Sequence, residues 1–198
     1  FRLMVRIGIL GDIGSGKSFI AKEFGYPVFN ADVEVAKLYR KDKKIFSKLK
    51  KVLPQYFAKF PVDKENVSKA ILDNQKNLKK IIKIIHVKVR KKMNIFLKKN
   101  SNKKVVILDI PLLLENKLNK KNDVLIFIRS KKKDILKRLR KRKNFNPELI
   151  KKFKSIQLPL DYKRKKSHFI IENSFTKRSV KKYVKYILAN IKKWKRLF

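Results

Sequence analysis

At 198 residues the chain has room for one domain, or one domain carrying a lid, and can bury a real core. It has no cysteine, which excludes a disulfide framework and any thiolate metal site. Lys and Arg total 56 against 15 Asp and Glu, a formal net charge of +41. Such a surface attracts phosphate polymers, but the basic residues run along nearly the whole chain rather than gathering in one arm. Lys, Asn, Ile and Phe are abundant together while Gly is only 5, a joint bias that reads as compositional drift onto solvated faces. A nucleic-acid partner is therefore the less favoured expectation. No apolar run is long enough to span a bilayer, and Phe1-Arg2-Leu3-Met4 is too short and too quickly charged for a signal peptide. The expectation is a cytoplasmic protein without a membrane partner, monomeric or weakly oligomeric.

Residues 5–10 are almost continuously apolar, as a buried parallel strand requires. Gly11-Asp12-Ile13-Gly14-Ser15-Gly16-Lys17-Ser18 follows, and 19–24 read as a helix. Strand, glycine-rich turn and Gly-Lys-Ser opening a helix is the context of a phosphate-binding P-loop. Glycines let successive backbone N–H groups turn toward one anion, and the helix N-terminus adds its own. Lys17 is expected to reach the β- and γ-phosphates of ATP, with Phe19 continuing the nucleotide-binding stretch; the Ser18 hydroxyl is expected to ligate Mg²⁺.

Tyr26-Pro27-Val28-Phe29 reads as a second strand, ending in Asn30-Ala31-Asp32. Asp32 lies just past a strand's C-terminal end, where an open α/β sheet binds ligands. It is the candidate acceptor for a hydroxyl proton; the alternative is a cap for the helix over 33–39. Helical spacing continues at Ile45, Phe46, Leu49, Val52 and Leu53 up to Pro54, and restarts over 66–72. Asn74-Gln75-Lys76-Asn77 reads as a turn. Leu78, Ile81, Ile82, Ile85, Val89, Met93, Phe96 and Leu97 then mark one face of a long helix carrying His86. A lone histidine there is commonly a satisfied core residue. The region of about 41–100 is too long for a simple crossover and reads as a helical insertion that covers the acceptor.

A third strand is expected over 105–110, with Asp109 near its end as a carboxylate reaching Mg²⁺ through water; the alternative is a turn residue before Pro111. Leu112-Leu113-Leu114-Glu115 reads as a short helix or loop. The fourth strand covers 124–128, and a basic helix over 131–142 turns Ile135, Leu136 and Leu139 inward. Its Arg138, Arg140 and Arg142 could serve a lid over about 136–160, or simply form a solvated face. Asn146-Pro147-Glu148 is a helix start. Phe169-Ile170-Ile171 is the last strand, and Thr176 caps a terminal helix packed through Val180, Val184, Ile187, Leu188, Ile191 and Trp194. Alternation of strands and helices predicts an α/β fold of the P-loop NTPase type, a parallel sheet with helices on both faces. The expected core covers 1–40, 103–135 and 168–198.

Together these residues resemble the dephospho-coenzyme A kinase family. The resemblance runs over nearly the whole chain: Gly8-Ile9-Leu10 with the P-loop, Asn30-Ala31-Asp32, Ile84-Ile85-His86 with Val89-Arg90, Asp109-Ile110-Pro111-Leu112-Leu113-Leu114-Glu115, Lys137-Arg138, Gln157 with Lys163, and Ile170-Ile171-Glu172-Asn173. It implies transfer of the ATP γ-phosphoryl to the ribose 3′-hydroxyl of dephospho-CoA, the last step of coenzyme A synthesis. Asp32 matches the family's base, Arg142 falls near its lid arginine, and Arg138, His86, Arg90 and Glu115 are implied on the substrate side. The chain departs from the family's pattern at Asp12, Phe19, Asn30, Val87 and Ser167-His168. The alternatives are a P-loop kinase for a nucleoside monophosphate or shikimate, a basic nucleic-acid-binding P-loop protein, and a degenerate inactive kinase.

Overall fold

A computed structural model describes residues 4–194, the side chains of 192–194 excepted. Phe1-Arg2-Leu3 and the Trp194 side chain, both read above, therefore lie outside the described residues. The chain divides into two compact units. One holds residues 4–29, Asn100–Phe145 and 158–194; the other holds Asn30–Lys99 and Asn146–Gln157.

The first unit is built on a five-stranded sheet: β1 (Val5–Gly11), β2 (Val28–Asn30), β3 (Val105–Asp109), β4 (Val124–Arg129) and β5 (Phe169–Glu172), in the spatial order β2-β3-β1-β4-β5. β1 runs parallel to β3 and β4, and β4 runs parallel to β5. The central strands are buried on both faces, which is why they read as unbroken apolar runs. On one face Ile7, Ile9, Ile107, Ile126, Ile128 and Ile171 meet Ile20, Ala21 and Phe24 from α1 (Lys17–Glu23) and its C-cap, and Val180, Val184, Ile187 and Ile191 of α9 (Lys177–Trp194). Each fully buried Ile or Leu there contributes roughly 1.5–3 kcal/mol. On the other face lie Arg6, Gly8 and Leu10, with α8 (Leu160–Lys165) packed on β1. Arg6 donates to Asp123 at 3.0 Å and to the Leu118 carbonyl, a buried pair that ties β1 to the approach of β4. α6 (Lys132–Arg140) completes this unit.

The second unit is helical: α2 (Ala31–Lys41), α3 (Lys43–Val52), α4 (Lys64–Asp73), α5 (Gln75–Lys99) and α7 (Pro147–Lys154). α5 is its spine and packs against α2, α3 and α4. Leu78, Ile81, Ile85, Val89 and Met93 are its buried stripe, three or four residues apart. All five of these helices start on a side-chain cap. Asn30, Asp42, Asp63, Asn74 and Asn146 each accept a hydrogen bond from the first turn of the helix they precede.

The structure corrects several expectations. Gln75-Lys76-Asn77 is not a turn but the first turn of α5, because buried Asn77 donates from Nδ2 to the Ala70 carbonyl and fastens α5 to α4. The basic helix stops at Arg140, so Arg142 lies in the turn beyond it, its N–H on the Leu139 carbonyl. The third strand ends at Asp109; of the helix or loop expected at 112–115 the loop forms, as consecutive turns over 111–117. The second strand is shorter at its start than read, beginning at Val28. Residues 136–160, read as one lid, fall into both units: 146–157 group with the helical one, and the remainder with the sheet.

Candidate active site

β1 is the middle strand of the sheet, and its C-terminal end opens into the P-loop. Two glycines there are required by geometry. Gly14 has φ 84°, and a Cβ on it would lie 2.9 Å from Leu139 Cγ of α6. Gly16, the residue before α1, has φ 92°, and a Cβ on it would collide with the Asn173 amide. Both conformations are left-handed, where any other residue is strained. The Ser15 carbonyl is held from outside the loop by Asn173 Nδ2 at 2.8 Å and Ser130 Oγ at 3.0 Å. Ser15 itself is buried, its Oγ without a hydrogen-bond partner.

Lys17 opens α1 and folds back over the loop. Its Nζ donates to the Asp12 carbonyl at 2.8 Å and the Gly11 carbonyl at 3.2 Å. Asp12, where the resembled family has a glycine, turns its Oδ1 onto the Ile13 N–H at 2.7 Å. Ser18 is exposed in the first turn of α1. Phe19 packs its side chain against the core cluster, so only its backbone N–H is left for a phosphate role. Asp109 is buried at the end of β3.

The far wall joins Arg138 and Asn173, both named from the sequence, to Phe175 and Ser130, which are not. Asn173 Oδ1 accepts the Phe175 N–H at 2.9 Å, holding Phe175 at φ 62°. The guanidinium of Arg138 stands 4.3 Å from the Phe175 ring centroid, a cation–π contact beside Gly16. In the sequence Asn173 is visible as a strand stop and as the last residue of the Ile170-Ile171-Glu172-Asn173 motif; nothing local to Ser130 or Phe175 links them to residue 15. Arg142 is exposed.

Glu115, expected on the substrate side, is engaged inside the sheet unit instead. Its Oε1 accepts Lys163 Nζ at 2.7 Å and the Leu158 N–H at 3.0 Å, and Lys163 is 1% exposed. Burial of the pair demands this partnership, since either charge alone would be strongly destabilising there.

In the helical unit, Asp32 is exposed in the first turn of α2. It is not the cap: Asn30 Oδ1 accepts the Val33 N–H at 2.9 Å and fills that role. Asn30 thus departs from the family's acid without losing the helix start, because Asn and Asp cap equally well. His86 and Arg90 are one turn apart on α5. His86 is half-buried with Nε2 lacking a hydrogen-bond partner, so it is not the satisfied core histidine expected. Burial lowers its pKa, and the Arg90 charge pushes the same way.

A parallel sheet whose central strand ends in a lysine-backed glycine loop defines a P-loop kinase fold. A family model described as dephospho-CoA kinase matches residues 5–178. The chain is 40% identical over 190 residues to a dephospho-CoA kinase of Wolbachia sp. subsp. Brugia malayi, covering 93% of this chain and 97% of that one. It is 31% identical over 201 residues to a dephospho-CoA kinase of Bacillus thuringiensis, covering 97% and 98%. Among solved structures, TT1252 of Thermus thermophilus superposes with a TM-score of 0.76 at 26% identity, over 95% of this chain and 98% of that one. The chain belongs to the dephospho-CoA kinase family, and so to the ATP-dependent kinases. Among the described residues no helix is long and apolar enough to cross a membrane.

Proposed function

We propose that the sheet unit binds ATP, that the helical unit binds dephospho-CoA, and that the γ-phosphoryl passes to the ribose 3′-hydroxyl. The observation that carries the nucleotide half is the loop between β1 and α1. Lys17 already sits over its carbonyls, and the Ser15 carbonyl is fixed from two sides. Phosphoryl transfer asks chiefly for positioning and charge stabilisation, and this loop offers both without reorganising its backbone. Lys17 exchanges the Gly11 and Asp12 carbonyls for phosphate oxygens. Arg138 and Arg142 supply guanidinium groups to the transferring phosphate. Asp32 orients the acceptor hydroxyl and takes its proton. His86 Nε2 and Arg90 hold the acceptor.

Mg²⁺ fits the donors present. Ser18 and Asp109 are hard oxygen donors, and Mg²⁺ on a nucleotide is ordinarily held by one or two protein oxygens, phosphates and water. Among the described residues no cluster of three His, Asp or Glu forms a dedicated metal cage, and that mode of binding needs none. Bound there, Mg²⁺ would neutralise charge on the β- and γ-phosphates.

The test is a pair of substitutions assayed with ATP and dephospho-CoA. Lys17→Ala is expected to abolish turnover. Asp32→Asn is expected to lower kcat by about a hundredfold or more while leaving ATP binding within about threefold, since its work is on the acceptor. Intact turnover in Asp32→Asn would remove it as the base.

A further inference from the structure

Away from the P-loop, lysines gather around a groove open to solvent. In the helical unit a cavity of about 600 Å³ is lined by Lys37, Lys41, Lys43, Lys44, Lys88 and Lys92, with Asp42 at the α2–α3 junction. Lysine is common in this chain, so number alone decides nothing; placement does.

Two of the six have carboxylate partners. Lys37 meets Glu34 at 2.6 Å, and Lys88 meets Asp42 at 3.1 Å. Asp42 is already shared, because its Oδ1 caps α3 through the Ile45 N–H. Lys41, Lys43, Lys44 and Lys92 have no carboxylate partner among the described residues. Lys43 and Lys44 also stand in the first turn of α3, which contains no acid. The positive end of a helix dipole disfavours cations at that position. Four solvent-exposed ammonium groups without carboxylate partners thus line one groove, two of them at a helix end where the Asp42 cap is the nearest acid. An anion placed there would meet charge that no protein carboxylate neutralises.

The cavity is separate from the acceptor residues named above. On α2 the lining runs from Lys37 to Lys41, five to nine residues beyond Asp32, about 7 to 13 Å along the axis at about 1.5 Å per residue. On α5, Lys88 and Lys92 form one pair a turn apart, and His86 and Arg90 another. Two residues of offset is about 200° of rotation, so the pairs lie on opposite sides of the helix.

We propose that this cavity is a second anion site, taking a chain of two or three linked phosphates, free or carried on a nucleotide. Lysine suits that ligand, because its ammonium acts as a mobile point charge and needs no fixed bidentate geometry.

The test titrates inorganic tripolyphosphate by calorimetry at low salt into the full chain, with the P-loop saturated by a non-hydrolysable ATP analogue. A second titration uses the analogue itself in excess and reads whether the nucleotide-borne phosphates occupy the same place. Three proteins are compared: the unaltered chain, Lys41→Glu with Lys92→Glu, and Lys181→Glu with Lys185→Glu on the exposed face of α9. The two variants change net charge equally. A binding event beyond the P-loop is expected, weakened about tenfold or more in the cavity variant and less than about twofold in the α9 variant. Absence of that event, equal weakening in both variants, or displacement of tripolyphosphate by dephospho-CoA would each overturn the proposal. Should the reversal impair folding, Lys41→Gln with Lys92→Gln reads the same comparison. Melting temperature gives an independent reading: Lys43→Gln should raise it without ligand and reduce the rise that tripolyphosphate produces.

Discussion

Residue 173 is where the loop's geometry is decided away from the loop. Buried Asn173 commits its Nδ2 to the Ser15 carbonyl and its Oδ1 to the Phe175 N–H. Asn173→Ala removes both bonds, leaving the Ser15 carbonyl to Ser130 alone and the Phe175 N–H without its acceptor, a loss of about 1–3 kcal/mol. Part of that loss should fall on nucleotide binding, because the same contact sets Gly16 before α1. The expected outcome is a KM for ATP raised about tenfold with the KM for the acceptor little changed. Asn173→Asp preserves size but replaces the donor by an oxygen facing the Ser15 carbonyl, and should do worse than alanine.

At the scale of elements, helix starts explain which substitutions the family pattern tolerates. α2 begins on Asn30, which accepts the Val33 N–H while Asp32 stands exposed one step inside. Asn30→Ala should cost about 1 kcal/mol in unfolding by denaturant, and Asn30→Asp should cost almost nothing. α5 carries a titrating group. His86 has a lowered pKa through burial first and Arg90 second. The unfolded chain, with an ordinary histidine near about 6.5, therefore binds the proton more readily than the folded one. The stability this group contributes is complete above about pH 6.5 and declines as pH falls below that value toward the folded pKa. Thermal unfolding of the unaltered chain and of His86→Gln, at about pH 7.5 and about pH 5.5, should show the smaller acid loss in the variant. Elements also differ in how plainly the sequence declares them. The P-loop is legible because backbone geometry imposes its glycine spacing within a few residues. Strands 5–10 and 124–128 are legible because burial on both faces leaves an unbroken apolar run. Asn77 misleads because its polarity suggests a turn, whereas its amide answers Ala70 seven residues back. α8 escapes sequence reading: its mostly polar residues carry no stripe, and its decisive residue, Lys163, is buried only because Glu115 waits far earlier in the chain. Ser130 and Phe175 join the site through tertiary packing alone.

Across the whole molecule the net charge of +41 acts as a field. Both ATP and dephospho-CoA are anions, so their capture is accelerated by it and screened by salt. Raising ionic strength from about 0.05 M to about 0.5 M should raise both KM values severalfold while kcat changes little. A fall in kcat alone would place the charge in the chemical step instead. The decisive experiment follows the label from [γ-³²P]ATP, with dephospho-CoA as acceptor, and locates it on the product. Label is expected on the ribose 3′-oxygen, with none transferred by Lys17→Ala. Label released only as inorganic phosphate, or carried on another position of the acceptor, would refute the proposed transfer.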